Sequence, residues 1–140
     1  MLRAARLSVY LAVLASLAAF AGAPTVPSAA NGTTMVDVRP NGSAPKVGAG
    51  ATSISKNGRW IAFQSWSSEL VRGDTNGVSD VFVRDLKAGK TTRVSVSSSD
   101  EQADGRSFTP SISGNGRYVV FASEAGNLVP NDGNGNIDVF

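Results

Sequence analysis

The stretch that decides the fold is SISKNGRWIAFQS (Ser53–Ser65), because it returns as SISGNGRYVVFAS (Ser111–Ser123). The match continues to Phe82 and Phe140 without a gap, and 16 of the 30 aligned positions are identical. Together with similar residues upstream, it defines two units, residues 33–82 and 91–140, that are offset by 58 positions. A regular internal period predicts supersecondary units stacked into an array.

Each unit reads as short strands separated by turn signals, and helical periodicity is missing from this part of the sequence. The first unit predicts strands over residues 51–55, 59–65, 80–86 and 91–97, and Asn57-Gly58 predicts a hairpin with a type I′ turn. Trp60–Phe63 forms a nearly continuous apolar run, which predicts a strand buried on both faces. Residues 33–38 align with the predicted fourth strand. The pattern therefore predicts an all-β fold of about two four-stranded antiparallel blades of a β-propeller.

The segments Ser53–Ser65 and Asp80–Gly89 (DVFVRDLKAG) resemble the WD-like propeller repeat of TolB. The likeness extends over residues 33–140 and implies a TolB-like β-propeller, of which these residues would be a partial chain. It departs from the family pattern at the hairpin turn, which has Lys56-Asn57 where Pro-Asp is usual, and in a longer loop between the second and third strands. The resemblance implies a fold more clearly than it implies a function.

Residues 1–30 are predicted to be a secretory signal peptide, and residues 31–140 the propeller segment. Arg3 and Arg6 precede the apolar run Leu7–Ala23, and small residues follow. Cleavage after Ala23 and cleavage after Ala30 both satisfy the small-residue rule, but the first would leave Pro24 beside the cut, so cleavage after Ala30 is favoured. We therefore expect a secreted or periplasmic protein that has no membrane insertion once the signal is removed.

Composition excludes several function classes. The chain has 13 basic and 11 acidic residues, but Arg3 and Arg6 lie in the predicted signal, so the mature segment is formally neutral. No basic field remains to attract nucleic acid. The chain contains neither Cys nor His, which excludes a cysteine nucleophile, a thiolate metal site and a Ser-His-Asp triad. We expect no catalytic residues within this chain.

The lengthened loop is the predicted functional site. Oxygen-bearing side chains alternate along it in both units, and a glycine allows a sharp turn, as in sites for the hard cation Ca²⁺. An alternative is that the same residues form Asx-turns and cap the following strand. The predicted ligands are Asp74, Asn76 and Asp80 in the first loop, and Asp132, Asn134, Asn136 and Asp138 in the second.

These features predict an exported, non-enzymatic scaffold or binding module, stabilised by calcium if the loops bind it. Its expected partner is a protein or a component of the cell envelope, contacted by loops at one end of the propeller. Trp66, whose counterpart is Glu124, is a predicted contact residue. The alternative is the propeller portion of a larger exported hydrolase or peptidase, with its catalytic domain outside this chain.

Overall fold

The computed structural model describes residues 33–140. The predicted signal peptide, residues 1–30, lies outside the described residues. Within residues 33–140 there is no helix, and so none that could cross a membrane. The strands are β1 (Ala49–Ile54), β2 (Trp60–Ser65), β3 (Asp80–Asp85), β4 (Lys90–Arg93), β5 (Ser107–Ile112), β6 (Val119–Ser123) and β7 (Asp138–Val139).

The strands form two antiparallel sheets, which confirms the all-β prediction. The first sheet has the order β1-β2-β3-β4, and the second has the order β5-β6-β7. Neighbouring strands follow one another along the chain, so every connection within a sheet is a simple reversal. The register of β1 on β2 shifts between Ala49 and Thr52, and that of β5 on β6 shifts between Phe108 and Ser111, one position later in the repeat.

Two predicted strand assignments at the unit boundaries differ from the structure. The fourth strand, predicted over residues 91–97, ends at Arg93, because Ser95 turns inward and its hydroxyl donates to the Asp80 carboxylate. Residues 33–38 form no strand. Their counterparts in β4 pair with β3, and the described residues offer 33–38 no such neighbour. A strand needs a partner for its backbone groups, whatever its side-chain pattern.

The hairpin between β1 and β2 is present, but its turn is not the predicted type I′. The N–H of Gly58 donates to the carbonyl of Ser55, and Gly58 alone takes a positive φ, of 69°. The Ser55 and Asn57 side chains accept bonds from the N–H groups of Trp60 and Arg59. The second unit repeats these bonds through Ser113 and Asn115. The turn is thus a four-residue reversal from Ser55 to Gly58 that is closed by the backbone bond between these two residues, supported by side chains, and ended by a left-handed glycine.

Each sheet has two unlike faces. We call one the leading face: Ile54, Ile61 and Phe63 in the first sheet, and their counterparts Ile112, Val119 and Phe121 in the second. The other is the trailing face: Trp60, Ala62 and Val81 in the first sheet, and Tyr118, Val120 and Val139 in the second. The leading face of the second sheet packs against the trailing face of the first, and the two faces form one apolar cluster.

Burial of β2 on both faces is confirmed, since Ala62 and Phe63 are both buried on opposite sides of the strand. On the leading face of the first sheet, Phe63 stacks on Phe82 with ring centroids 5.7 Å apart, and Leu70 covers them. Tyr118 differs in burial from the aromatic residue at the same position of the first unit. It is 37% exposed, whereas its counterpart Trp60 packs against the second sheet. The trailing face to which Tyr118 belongs has no neighbouring sheet among the described residues.

Candidate functional site

The two long loops, residues 66–79 and 124–137, lie at the same end of the two sheets. Each connects the second strand of a unit to the third, and the pairing of Ser65 with Asp80 fixes where the first loop leaves its sheet. The connection between the sheets, residues 94–106, starts and ends there as well. We call the three segments together the loop end. Five of the seven predicted ligand residues lie there, and the other two, Asp80 and Asp138, are the first residues of β3 and β7 directly beside it.

The first loop is a hydrogen-bonded turn. The amide nitrogen of Asn76 donates to Oδ2 of Asp80 at 2.9 Å and to the carbonyl of Ala103 at 3.0 Å. The amide oxygen of Asn76 accepts from the N–H of Val78, and Gly77 takes a φ of 70°. One side chain thus closes its own turn, holds the first residue of β3 and reaches the segment that leads to the second sheet.

The second loop repeats this geometry. Asn134 donates to Oδ2 of Asp138 at 2.9 Å, and its amide oxygen accepts from the N–H of Asn136. Gly135 takes a φ of 67°, as its counterpart does in the first loop. The two loops therefore share a fold. In both of them the nitrogen of the asparagine amide, and not its oxygen, faces the carboxylate.

The first loop is neutralised by a basic side chain of the protein. Nη1 of Arg93, the last residue of β4, lies 3.1 Å from Oδ1 of Asp74 and 3.6 Å from Oδ2 of Asp80. The same nitrogen donates to Oε1 of Gln102 at 2.9 Å. All three charged side chains are largely buried. Burial and the charge of Asp80 raise the pKa of Asp74, and the guanidinium of Arg93 acts in the opposite direction.

Asp80 is also held by a hydroxyl. The Ser95 hydroxyl donates to Oδ1 of Asp80 at 2.5 Å and accepts from the N–H of Val81 at 3.1 Å. Asp80 and Ser95 are both fully buried. A buried carboxylate is stable only when its oxygens are paired, and here they accept bonds from Asn76 and Ser95 beside the Arg93 charge. This network fixes the start of β3 relative to the end of β4.

The two loops differ in how well they suit a cation. The charge that Ca²⁺ would supply in the first loop is already supplied by Arg93, so that arrangement does not fit a bound ion. In the second loop, no basic side chain within residues 33–140 pairs with Asp132 or Asp138. Over the same range, no three Asp or Glu residues converge as a metal-binding group. The geometry of both loops is that of the Asx-turn alternative.

Sequence reasoning missed Arg93, Ser95 and Gln102. Their counterparts in the preceding segment are Met35, Asp37 and Ala44, so the repeat pattern assigns these positions no shared role. A signal was present all the same. An arginine that replaces a methionine, next to a loop with two buried acids, marks a position where the copies have diverged in charge. Comparison of the differences between the units, rather than their identities, would have found it.

Trp66 is the one large aromatic side chain at the loop end, and it is 50% exposed. It follows β2 and lines a shallow cavity of about 230 Å³ together with Lys46, Val47 and Glu69. Glu69 accepts bonds from Arg39 and from the backbone N–H of Lys46, which hold the chain before β1 against the loop. These bonds lower the pKa of Glu69, the backbone bond most. The surface around Trp66 is therefore held in place by hydrogen bonds.

Comparison of the chain with protein-family models, with curated proteins and with solved structures finds no match in any of the three.

Proposed function

We propose that the two sheets are neighbouring blades of an exported β-propeller that serves as a scaffold or binding module. The observation that carries the proposal is the packing of two equivalent antiparallel sheets through unlike faces, with their long loops at one end. Propellers arrange their four-stranded sheets in this way. The resemblance of the strand sequences to the TolB repeat supports the same assignment.

The proposed binding surface is the loop end, and its partner is a protein or a component of the cell envelope. Loops carried on a rigid scaffold are where binding residues are concentrated. Trp66 offers an exposed aromatic surface there, and Lys46 and Glu69 beside it provide both signs of charge. Aromatic residues that are rigidly held contribute strongly to protein interfaces. Because the second unit has Glu124 in place of Trp66, this contact belongs to the first loop alone.

Binding is tested by sedimentation of the purified chain with envelope membranes of the producing organism, and by pull-down from its soluble fraction. We expect retention by one of the two and at least tenfold weaker retention of Trp66→Ala, since the loss of an anchor residue costs about 2 kcal/mol or more. Leu86→Ala is the matched control, because Leu86 is 41% exposed at the opposite end of the sheets. Equal retention of wild type and Trp66→Ala would contradict the assignment of the surface.

Export is tested separately. We expect residues 1–30, fused to a bacterial reporter enzyme that is active only outside the cytoplasm, to direct its export. Replacement of Leu14 by Arg interrupts the apolar run and should abolish the activity. A reporter that stays inside the cell with the wild-type segment would contradict the proposed localisation.

Calcium stabilisation is proposed for the second loop alone, because Arg93 already neutralises the first. Millimolar Ca²⁺ should raise the melting temperature, since a ligand of the native state stabilises it. Asp132→Asn should remove the increase, whereas Asp74→Asn should leave it in place. An unchanged melting temperature for the wild type would assign both loops to turn chemistry.

A further inference from the structure

Three exposed apolar residues of the sheet faces, Ile54, Val120 and Val139, are the counterparts of buried ones. On the trailing face, Ala62 and Val81 are 0% exposed in the first sheet, whereas Val120 and Val139 are 40% and 67% exposed in the second. On the leading face the relation is reversed. Ile112 is 7% exposed in the second sheet, whereas Ile54 is 57% exposed in the first. One copy of each face is therefore covered by the other sheet. The other copy is open at Ile54 on the leading face, where Phe63 stays buried under Leu70, and at Val120 and Val139 on the trailing face.

Gly116 and Trp60 show the same relation, in which one copy of a position is covered and the other is open. A Cβ placed on Gly116 would lie 2.3 Å from Cδ1 of Trp60, so the ring lies directly on the hairpin of the second unit. Within residues 33–140, no atom beyond the chain neighbours lies within 4 Å of the same position at Gly58, the counterpart of Gly116 in the first unit. Tyr118, the counterpart of Trp60, is exposed on the second sheet. Gly58 is thus open at the hairpin of the first sheet, and the Tyr118 ring is exposed on the second sheet.

The open leading face contains a cleft of about 410 Å³, lined by Val36, Ile54, Ile61 and Phe63 among others. In the second unit the counterparts of these four residues are Val94, Ile112, Val119 and Phe121. All four belong to, or pack against, the cluster that includes Ala62, Val81 and Val83 of the first sheet. The cleft therefore lies at the position that, on the second sheet, is filled by the trailing face of the first sheet.

Hydrogen bonds also join the two units, between residues that occupy nearly the same position of the repeat. The N–H of Lys56 donates to the carbonyl of Gly114 at 3.0 Å, and the N–H of Ile112 donates to the hydroxyl of Ser53 at 3.2 Å. If a second copy packs on the first as the second sheet packs on the first sheet, its Ile54 N–H lies against the exposed Ser111 hydroxyl of the first copy. These two bonds can thus be repeated between copies, together with the apolar contacts, whereas the bond from the Ser79 hydroxyl to the Ser107 carbonyl cannot, because the counterpart of Ser79 is Ile137.

We propose that the open trailing face of one molecule docks on the open leading face of a second copy of this chain, by the arrangement that joins its own two sheets. The contact is head to tail, so each copy keeps one free face, and further copies add until the array closes into a ring or extends. This inference concerns the sheet faces and not the loop end, and it does not depend on what the loops bind.

The test blocks one face at a time in the purified chain. Ile54→Glu places a charge on the leading face, and Val120→Glu places one on the trailing face. By analytical ultracentrifugation we expect the wild type to form assemblies that grow with concentration, and each variant alone to be monomeric. An equimolar mixture of the two variants should form a one-to-one dimer and stop there, because only one pair of intact faces remains. Leu86→Glu, at an exposed apolar residue in the turn between β3 and β4, should assemble as the wild type does.

Three results would overturn the proposal: a wild type that stays monomeric at every concentration, a variant that dimerises alone, and a mixture that stays monomeric. Circular dichroism and thermal melts verify that each variant is folded. If a variant is not, Thr52→Lys on the leading face and Val139→Glu on the trailing face replace it, since both residues are exposed. A monomeric wild type that still binds its partner through Trp66 would refute this contact and leave the loop-end function intact.

Discussion

Gly58 and Gly116 hold the same place in the two hairpins, yet their surroundings differ. Both have a positive φ, of 69° and 71°, which an L side chain adopts only with strain. The Gly116 backbone is also in contact with Trp60, whereas the Gly58 position is open. The pair therefore separates the conformational role of glycine from its role in close packing.

Substitution of each glycine by alanine measures the two roles. Gly58→Ala should cost about 1–2 kcal/mol of unfolding free energy for the left-handed conformation. Gly116→Ala should cost a further 1–3 kcal/mol or so, because the new methyl group overlaps the Trp60 ring. Urea denaturation of the two variants, at a concentration where both are monomeric, gives the comparison. Equal losses would mean that Trp60 moves aside freely, and would contradict the close packing described here.

The Arg59–Asp85 pair makes stability depend on pH. Nε and Nη2 of Arg59 donate to the two carboxylate oxygens of Asp85 at 3.0 and 2.7 Å, and the Arg59 guanidinium lies 4.5 Å from the centroid of the Trp60 ring. The bond from Arg59 lowers the pKa of Asp85 most, and bonds from two backbone N–H groups add to it, while burial acts in the opposite direction. Folding therefore favours the ionised carboxylate.

This stabilisation is complete above the ordinary aspartate pKa of about 3.9 and is lost as the pH falls through the lowered folded value. Asp85→Asn should melt below the wild type at pH 7, and the difference should shrink as the pH falls below about 4. Arg59→Met should show the same convergence, because it removes the other half of the pair. Thermal melts across this range provide the measurement. A difference that stays constant down to pH 2.5 would contradict the ion pair as its cause.

At the scale of the strand, Ser95 decides where β4 ends. Its hydroxyl links the Asp80 carboxylate to the N–H of Val81, and the chain leaves the sheet at that point. Ser95→Ala should lower the unfolding free energy by about 1–3 kcal/mol, because the buried carboxylate loses a donor. Ser97→Ala is the matched control, since its hydroxyl accepts bonds only in an exposed turn. Chemical denaturation that gives equal, small losses would refute the role of Ser95.

The same residue shows how far sequence reasoning reaches. The strands at Trp60 and Asp80 were predictable to within a residue or two, because apolar runs between turn signals depend on local chemistry. The end of β4 was not, because it depends on Ser95 meeting Asp80, which lies 15 positions away in the sequence. The seven candidate ligands occupy equivalent stretches of the two units, three in the first and four in the second. The neutralisation of Asp74 and Asp80 by Arg93 was hidden, because the repeat alignment pairs that arginine with Met35.

At the scale of the whole molecule, the cluster between the sheets makes their stabilities interdependent. Phe121 is 3% exposed and lies in the leading face that covers Ala62 and Val83. Phe121→Ala should cost about 3–5 kcal/mol. Hydrogen exchange should then accelerate in β2 and β3 as well as in β6, since both sheets share the contact. Faster exchange confined to β5–β7 would mean that the sheets unfold independently. Val120→Ala, at an exposed position, should alter neither sheet by a comparable amount.

The unlike faces of each sheet also bear on how such a chain changes over generations. A unit that carries both halves of one interface needs no new surface when it is copied, because the duplicate's leading face already fits the original's trailing face. Insertion or loss of a whole unit then preserves every contact but those at the two ends of the stack. Stability in such arrays is close to a sum of units and neighbour contacts. Unit number can therefore vary while the sequence of each unit stays under the same constraint.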